Sequence, residues 1–190
     1  MYGLNVFWSE EGSVISSTPA AAFSPISPTD QPLRTFSHYR LDVMALRACG
    51  FVIFRRLAQQ PPPDNIEFLL LQTSYGEHHW TPPKGHVDPG EDDLTTALRE
   101  TQEEAGLGKD HLRMVDGFLQ RLSYQVRGKD KEVLYWLAEL CDPNTQVILS
   151  NEHQDYRWAK LEEACKLAKY QDLQDTLTAA QRYLETQGKQ

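Results

Sequence analysis

Between Gly85 and Leu107 the chain places four glutamates, one arginine and three glycines at spacings that leave few folds open. From Asp92 the pattern reads as a helix, with acids at its start and Gly106 as its stop. At about 100° per residue, Leu94, Leu98, Thr101 and Ala105 fall on one narrow stripe. Glu100, Glu103 and Glu104 group on the opposite side, because positions three and four apart are neighbours on a helix surface. Arg99 stands four residues before Glu103 and is placed to pair with it. A solvated acidic face is the ordinary outcome for such a helix taken alone. The flanks argue for more. Gly85 and Gly90 bracket a loop leading into the helix N-terminus, where free N–H groups and the dipole favour anions, and Glu91 is expected in the first turn. Like charges repel, so folding gives no reason for three crowded carboxylates. A divalent cation held against a diphosphate does.

The spacing runs Gly85, Glu91, Arg99-Glu100, Glu103-Glu104, Gly106-Leu107. It resembles the Nudix box of enzymes that hydrolyse nucleoside-diphosphate linkages. One position departs: after Arg99-Glu100 the family carries a bulky aliphatic, and here it is Thr101, on the core-facing stripe. The resemblance implies an α/β fold, the Nudix α/β/α sandwich with a mixed sheet between helices. It also implies Mg²⁺, with Mn²⁺ as a substitute, held by the Gly85 carbonyl and by Glu100, Glu103 and Glu104, which are hard oxygen ligands. Arg99 would orient Glu103 and its neighbours, and Lys84 follows a stiff Pro82-Pro83 pair.

Outside the box, three further stretches (78–93, 135–139 and 152–158) resemble the branch of that family that cleaves dinucleoside tetraphosphates asymmetrically in animals. This implies hydrolysis of diadenosine tetraphosphate to ATP and AMP by water attack on phosphorus. On that resemblance Glu100 or Glu152 is the general base, and crowded carboxylates titrate as a set, so the sequence does not choose between them. His79, Lys84 and Lys131 would grip phosphates, with Lys129 weaker and more simply a surface lysine. Tyr124 and Tyr170 match positions that sandwich an adenine, and Tyr75 would stand near the second nucleoside; core aromatics are the plain alternative for the first two. The expected partner is a small-molecule dinucleoside polyphosphate, with no nucleic acid and no membrane, and the chain is expected to be a monomer. Alternatives are Nudix action on RNA 5′ ends or diphosphoinositol phosphates, and a non-catalytic nucleotide sensor. The retained glutamates weigh against the sensor.

Composition is in keeping. The net charge of −8 repels nucleic acid and anionic membranes unless a metal or local patch intervenes. Three cysteines at unrelated spacings fit neither a zinc site nor a disulfide framework and point to a reducing compartment; the expected location is the cytoplasm, together with the nucleus. No run is long enough to span a membrane. Residues 1–43 are rich in Ser, Thr, Pro and Ala and read as a disordered N-terminal extension, leaving 44–190 as the hydrolase domain. Within it, 45–56 and 66–72 read as strands, 114–126 and 132–140 as a long hairpin, 147–149 as a short strand, and 161–170 and 171–184 as helices.

Overall fold

Strand β1 (Leu46–Arg56) is buried without a break from Ala48 to Phe54, which only a strand covered on both sheet faces allows. Alternate side chains go to opposite sides. Ala48, Val52 and Phe54 join one core, and Cys49, Phe51 and Ile53 the other. The computed structural model describes residues 46–126 and 128–187. The extension read over 1–43 lies outside them.

Around β1 the sheet is mixed. Antiparallel neighbours are β2 (Ile66–Thr73) and the short β4 (Lys84–His86), while β6 (Lys129–Leu140) runs parallel to it. β3 (Trp80–Thr81) and β7 (His153–Ala159) both pair with β2, and β5 (Leu112–Val126) pairs with β6. Helix α1 (Asp93–Ala105) covers one face through Ala97 and Ala105. Helices α2 (Leu161–Leu167) and α3 (Gln171–Gln187) cover the other. In α3 the stripe Leu173, Leu177, Ala180 and Leu184 is buried as its spacing requires. This is the α/β/α sandwich.

Local chemistry sets the ends of α1. The Asp92 carboxylate accepts from the Leu94 and Thr95 N–H groups at 3.1 and 3.0 Å. Gly106 closes the helix at φ 72°, where its N–H donates to the Gln102 carbonyl at 3.0 Å. Glu91 therefore precedes the cap and is not in the first turn.

Two other expectations are corrected. Residues 147–149 form no strand: the Ile148 N–H donates to Ala105 O at 2.9 Å and the Ser150 N–H to Glu104 O at 3.3 Å. The segment is consumed in satisfying the open carbonyls of the last turn of α1. The first C-terminal helix stops at Leu167, so Tyr170 does not end it but stands in the turn before α3, its carbonyl accepting from the Gln174 N–H at 3.1 Å.

Candidate active site

The carboxylates of α1 are not equivalent. Glu104 is 9% exposed and faces β4, whose Lys84 N–H donates to its Oε2 at 2.8 Å. This corrects the helical reading, which set Glu104 with Glu103 on the outer side. Glu104 lies only about 60° around the helix from Thr101, and β4 passes over that flank. Burial pushes the Glu104 carboxyl up to about 7, with the charges of Glu100 and Glu152 adding to it and Lys84 opposing. Glu100 is also raised by burial, despite Arg99 beside it. Glu103 has a side chain 57% exposed.

Arg99 is a hub with more partners than Glu103. Its Nε donates to Glu91 Oε1 at 3.1 Å and its Nη2 to Glu91 Oε2 at 2.9 Å. Nη2 also reaches the His86 carbonyl at 3.0 Å, and Nη1 donates to Glu100 at 2.8 Å and Glu103 at 3.2 Å. Glu91 is thus the chief anchor of Arg99, and that guanidinium holds the Glu91 carboxyl well below the usual range. The sequence spacing singled out Glu91 without a partner.

Gly85 is opposite Cys49 in the β1–β4 ladder. A Cβ built there would lie 1.9 Å from Glu100 Cδ, so only glycine lets the Glu100 carboxylate lie across this backbone. Gly50 does the same for Lys84, since its Cβ would fall 2.1 Å from Pro83 O.

Among the described residues no three His, Cys, Asp or Glu side chains form a ready-made metal cluster. Arg99 draws Glu100 and Glu103, while Glu104 turns to the Lys84 N–H. The donors still fit a hard divalent cation. They are carboxylate oxygens, together with the backbone at Gly85 on which Glu100 lies. A buried carboxylate pushed to about 7 by burial and by two acidic neighbours is a position that a cation relieves. His153, which the sequence reading passed over, is buried with Nε2 3.9 Å from Glu104 Oε1. Burial lowers its pKa, favouring the neutral ring, so His153 does not offset the Glu104 charge.

Lys84, whose N–H holds Glu104, also lines a cavity of about 670 Å³ together with Tyr75, His79, Tyr124, Lys131 and Tyr170; the glutamates of α1 lie outside that lining. Strand register explains half of this. Lys131 pairs with Tyr124 across β5–β6, and Lys84 pairs with Gly50 on the same face of the sheet. Tyr170 reaches in from the α2–α3 turn and packs on His79, with centroids 5.4 Å apart. Burial lowers the Lys131 pKa, and repulsion from Lys84 adds to it, a cation pair suited to an anion between them. Lys129 is exposed and outside this lining. Asp172 and Gln125 line it without having been singled out.

Residues 47–181 match the NUDIX domain model. The chain belongs to the Nudix family, and the requirement for a divalent cation comes with that membership. Within the family it is 56% identical over 142 residues to the mouse bis(5′-nucleosyl)-tetraphosphatase (asymmetrical), covering 74% of this chain and 97% of the mouse protein. The Caenorhabditis elegans protein of the same description is 48% identical over 141 residues, with coverage of 74% and 98%. A solved structure of a C. elegans Ap4A hydrolase binary complex superposes with a TM-score of 0.69 at 48% identity, covering 74% of this chain and 98% of that one.

Proposed function

We propose that this protein is a Mg²⁺-dependent hydrolase that cuts diadenosine tetraphosphate asymmetrically into ATP and AMP. The observation that carries the reading is the cavity in which Lys84, Lys131 and His79 stand with four tyrosines, Lys84 being also the residue whose N–H holds the buried Glu104. Its likeness to the mouse and nematode tetraphosphatases over nearly their whole length supports the substrate class.

Glu100, Glu103, Glu104 and the Gly85 carbonyl would hold the cation, which when bound neutralises phosphate oxygens and eases deprotonation of water. Lys84, Lys131 and His79 hold the remaining phosphates by charge and hydrogen bonding. Glu100 or Glu152 takes the proton of the attacking water, while Arg99 fixes Glu100 against Glu91. The water oxygen bonds to the phosphorus of the departing AMP, and the bridging P–O bond on its far side breaks to release ATP. In ¹⁸O-water the label is expected in AMP, with ATP unlabelled; two ADP molecules as the main products would refute an asymmetric cut.

Tyr124 and Tyr170 are 37% and 51% exposed, as rings awaiting a flat ligand are and fully packed core rings are not. Base stacking on an aromatic is worth ~1–3 kcal/mol, and this exposure sets the low end. The contact is remote from phosphorus and equal in ground and transition states. Tyr124→Ala and Tyr170→Ala are therefore expected to raise KM several-fold and leave kcat within about twofold, with phenylalanine tolerated. A lowered Tm at unchanged KM would make both tyrosines structural.

The same proposal takes the protein as a cytoplasmic monomer without a nucleic-acid partner. Its acidic balance and the free thiols Cys49, Cys141 and Cys165 support this. No described helix is long and apolar enough to cross a membrane.

A further inference from the structure

The β2–β3 connection carries Tyr75 and His79 to the cavity, and Glu152 stands in the turn before β7. These two segments are stitched together at one residue. The Ser74 N–H donates to the Glu152 carbonyl at 2.8 Å, and the Ser74 hydroxyl donates to the Asn151 carbonyl at 3.0 Å. The β2–β7 register shifts between Gln72 and Thr73, which brings the Asn151 turn over Ser74.

The connection itself is tightly closed. The Thr73 N–H donates to His79 O at 3.0 Å and the Thr73 hydroxyl to Tyr75 O at 3.1 Å. At its corner His78 holds φ 53°, the one left-handed non-glycine among the described residues, with ring Nδ1 3.0 Å from the Thr73 carbonyl. Such a conformation persists where the surroundings over-determine it. Ser74 thus projects from a rigid base.

We infer that Ser74 is a positioning residue for Glu152: its two hydrogen bonds fix the turn so that the Glu152 carboxylate stays close to Glu100 and Glu104. The turn meets the site on both sides of Glu152: the Ser150 N–H donates to the Glu104 carbonyl at 3.3 Å, and His153 Nε2 lies 3.9 Å from Glu104 Oε1. The inference rests on the reading that Glu152 works in the reaction. A bond that merely staples loops would act on stability, or on KM through Tyr75 and His79. A positioning bond acts on kcat and only while Glu152 is present.

The test is a double-mutant cycle on the full chain in Mg²⁺ with diadenosine tetraphosphate, measuring kcat, KM and Tm for Ser74→Ala, Ser74→Thr, Glu152→Gln and Ser74→Ala/Glu152→Gln. Removing one hydrogen bond of ordinary worth is expected to lower kcat roughly fivefold, with KM within about twofold and Tm nearly unchanged, and threonine should restore the rate. In the Glu152→Gln background the alanine should have no further effect. The inference is overturned if the two losses multiply, if the alanine effect lies in KM, or if Ser74→Ala keeps the parental kcat. A Glu152→Gln variant with undiminished kcat is a different failure, because it removes Glu152 from the reaction and Ser74 with it.

Discussion

Glu104→Gln is expected to lower kcat by at least about 10²-fold while the protein stays folded and KM changes little. The glutamine oxygen can still accept from the Lys84 N–H that Glu104 binds at 2.8 Å, so the packing of α1 on β4 survives. What disappears is the negative charge, and with it the buried anchor for a cation. The same substitution makes an opposite prediction for stability. Burial raises the Glu104 carboxyl from its ordinary 4.5 to about 7 in the folded protein. A raised carboxyl lends stability below its unfolded value, and that contribution is lost as pH climbs through the folded one. At pH 8 the cation-free parent therefore carries the full penalty of a buried charge, which glutamine lacks. Melting in chelator at pH 8 should show Glu104→Gln at a higher Tm than the parent, with the gap closing toward pH 4. A variant that turns over within a few-fold of the parent would remove Glu104 from the site. Glu103→Gln should act more weakly on kcat, since its side chain is 57% exposed and already paired with Arg99.

Gly85→Ala is expected to reach nearly the same loss of rate by a steric route. The added methyl would occupy the place of the Glu100 carboxylate, with Cβ 1.9 Å from Cδ. Glu100 must leave, and its hydrogen bond from Arg99 at 2.8 Å goes with it. A drop in kcat of on the order of 10²-fold or more should accompany a stability loss of ~1–3 kcal/mol from overpacking. Combining Gly85→Ala with Glu100→Gln separates the two effects. If the methyl acts only by displacing Glu100, the double variant is no slower than the worse single one. Losses that multiply, or a Gly85→Ala enzyme near parental activity, would show that Glu100 does not depend on this glycine.

The parts of the site legible in the sequence are those written in local chemistry. Asp92 and Gly106 bracket α1 because a cap and a left-handed stop are each decided within one turn. The spacing of Glu100, Glu103 and Glu104 is likewise a property of the helix alone. Glu104 was misplaced because its burial depends on β4 lying against β1, an arrangement made by Gly50 and Lys84 and invisible to helical periodicity. The Glu91–Arg99 pair was missed because it bridges a loop and a helix, so its distance depends on how that loop folds back. Residues 147–149 have the composition of a strand, yet the carbonyls at the end of α1 offered their N–H groups nearer partners. Tyr124 and Tyr170 are legible only through resemblance, because it is the packing of the α2–α3 turn that brings them to one cavity.

The two-sided burial of β1 has a consequence for how the chain is made. Leu46–Arg56 emerges from the ribosome early, but its parallel partner Lys129–Leu140 comes late, and α2 and α3, which cover one of its faces, come last. Parallel pairing at long sequence separation is slow to form, because the intervening loop must close first. A strand apolar on both faces therefore waits with the face of Ala48, Val52 and Phe54 uncovered until α2 and α3 are made, which is the state that chaperones recognise and that aggregation exploits. Yield at high expression rates should depend on the interval between the translation of β1 and that of β6, and slowing translation after β2 should lower it.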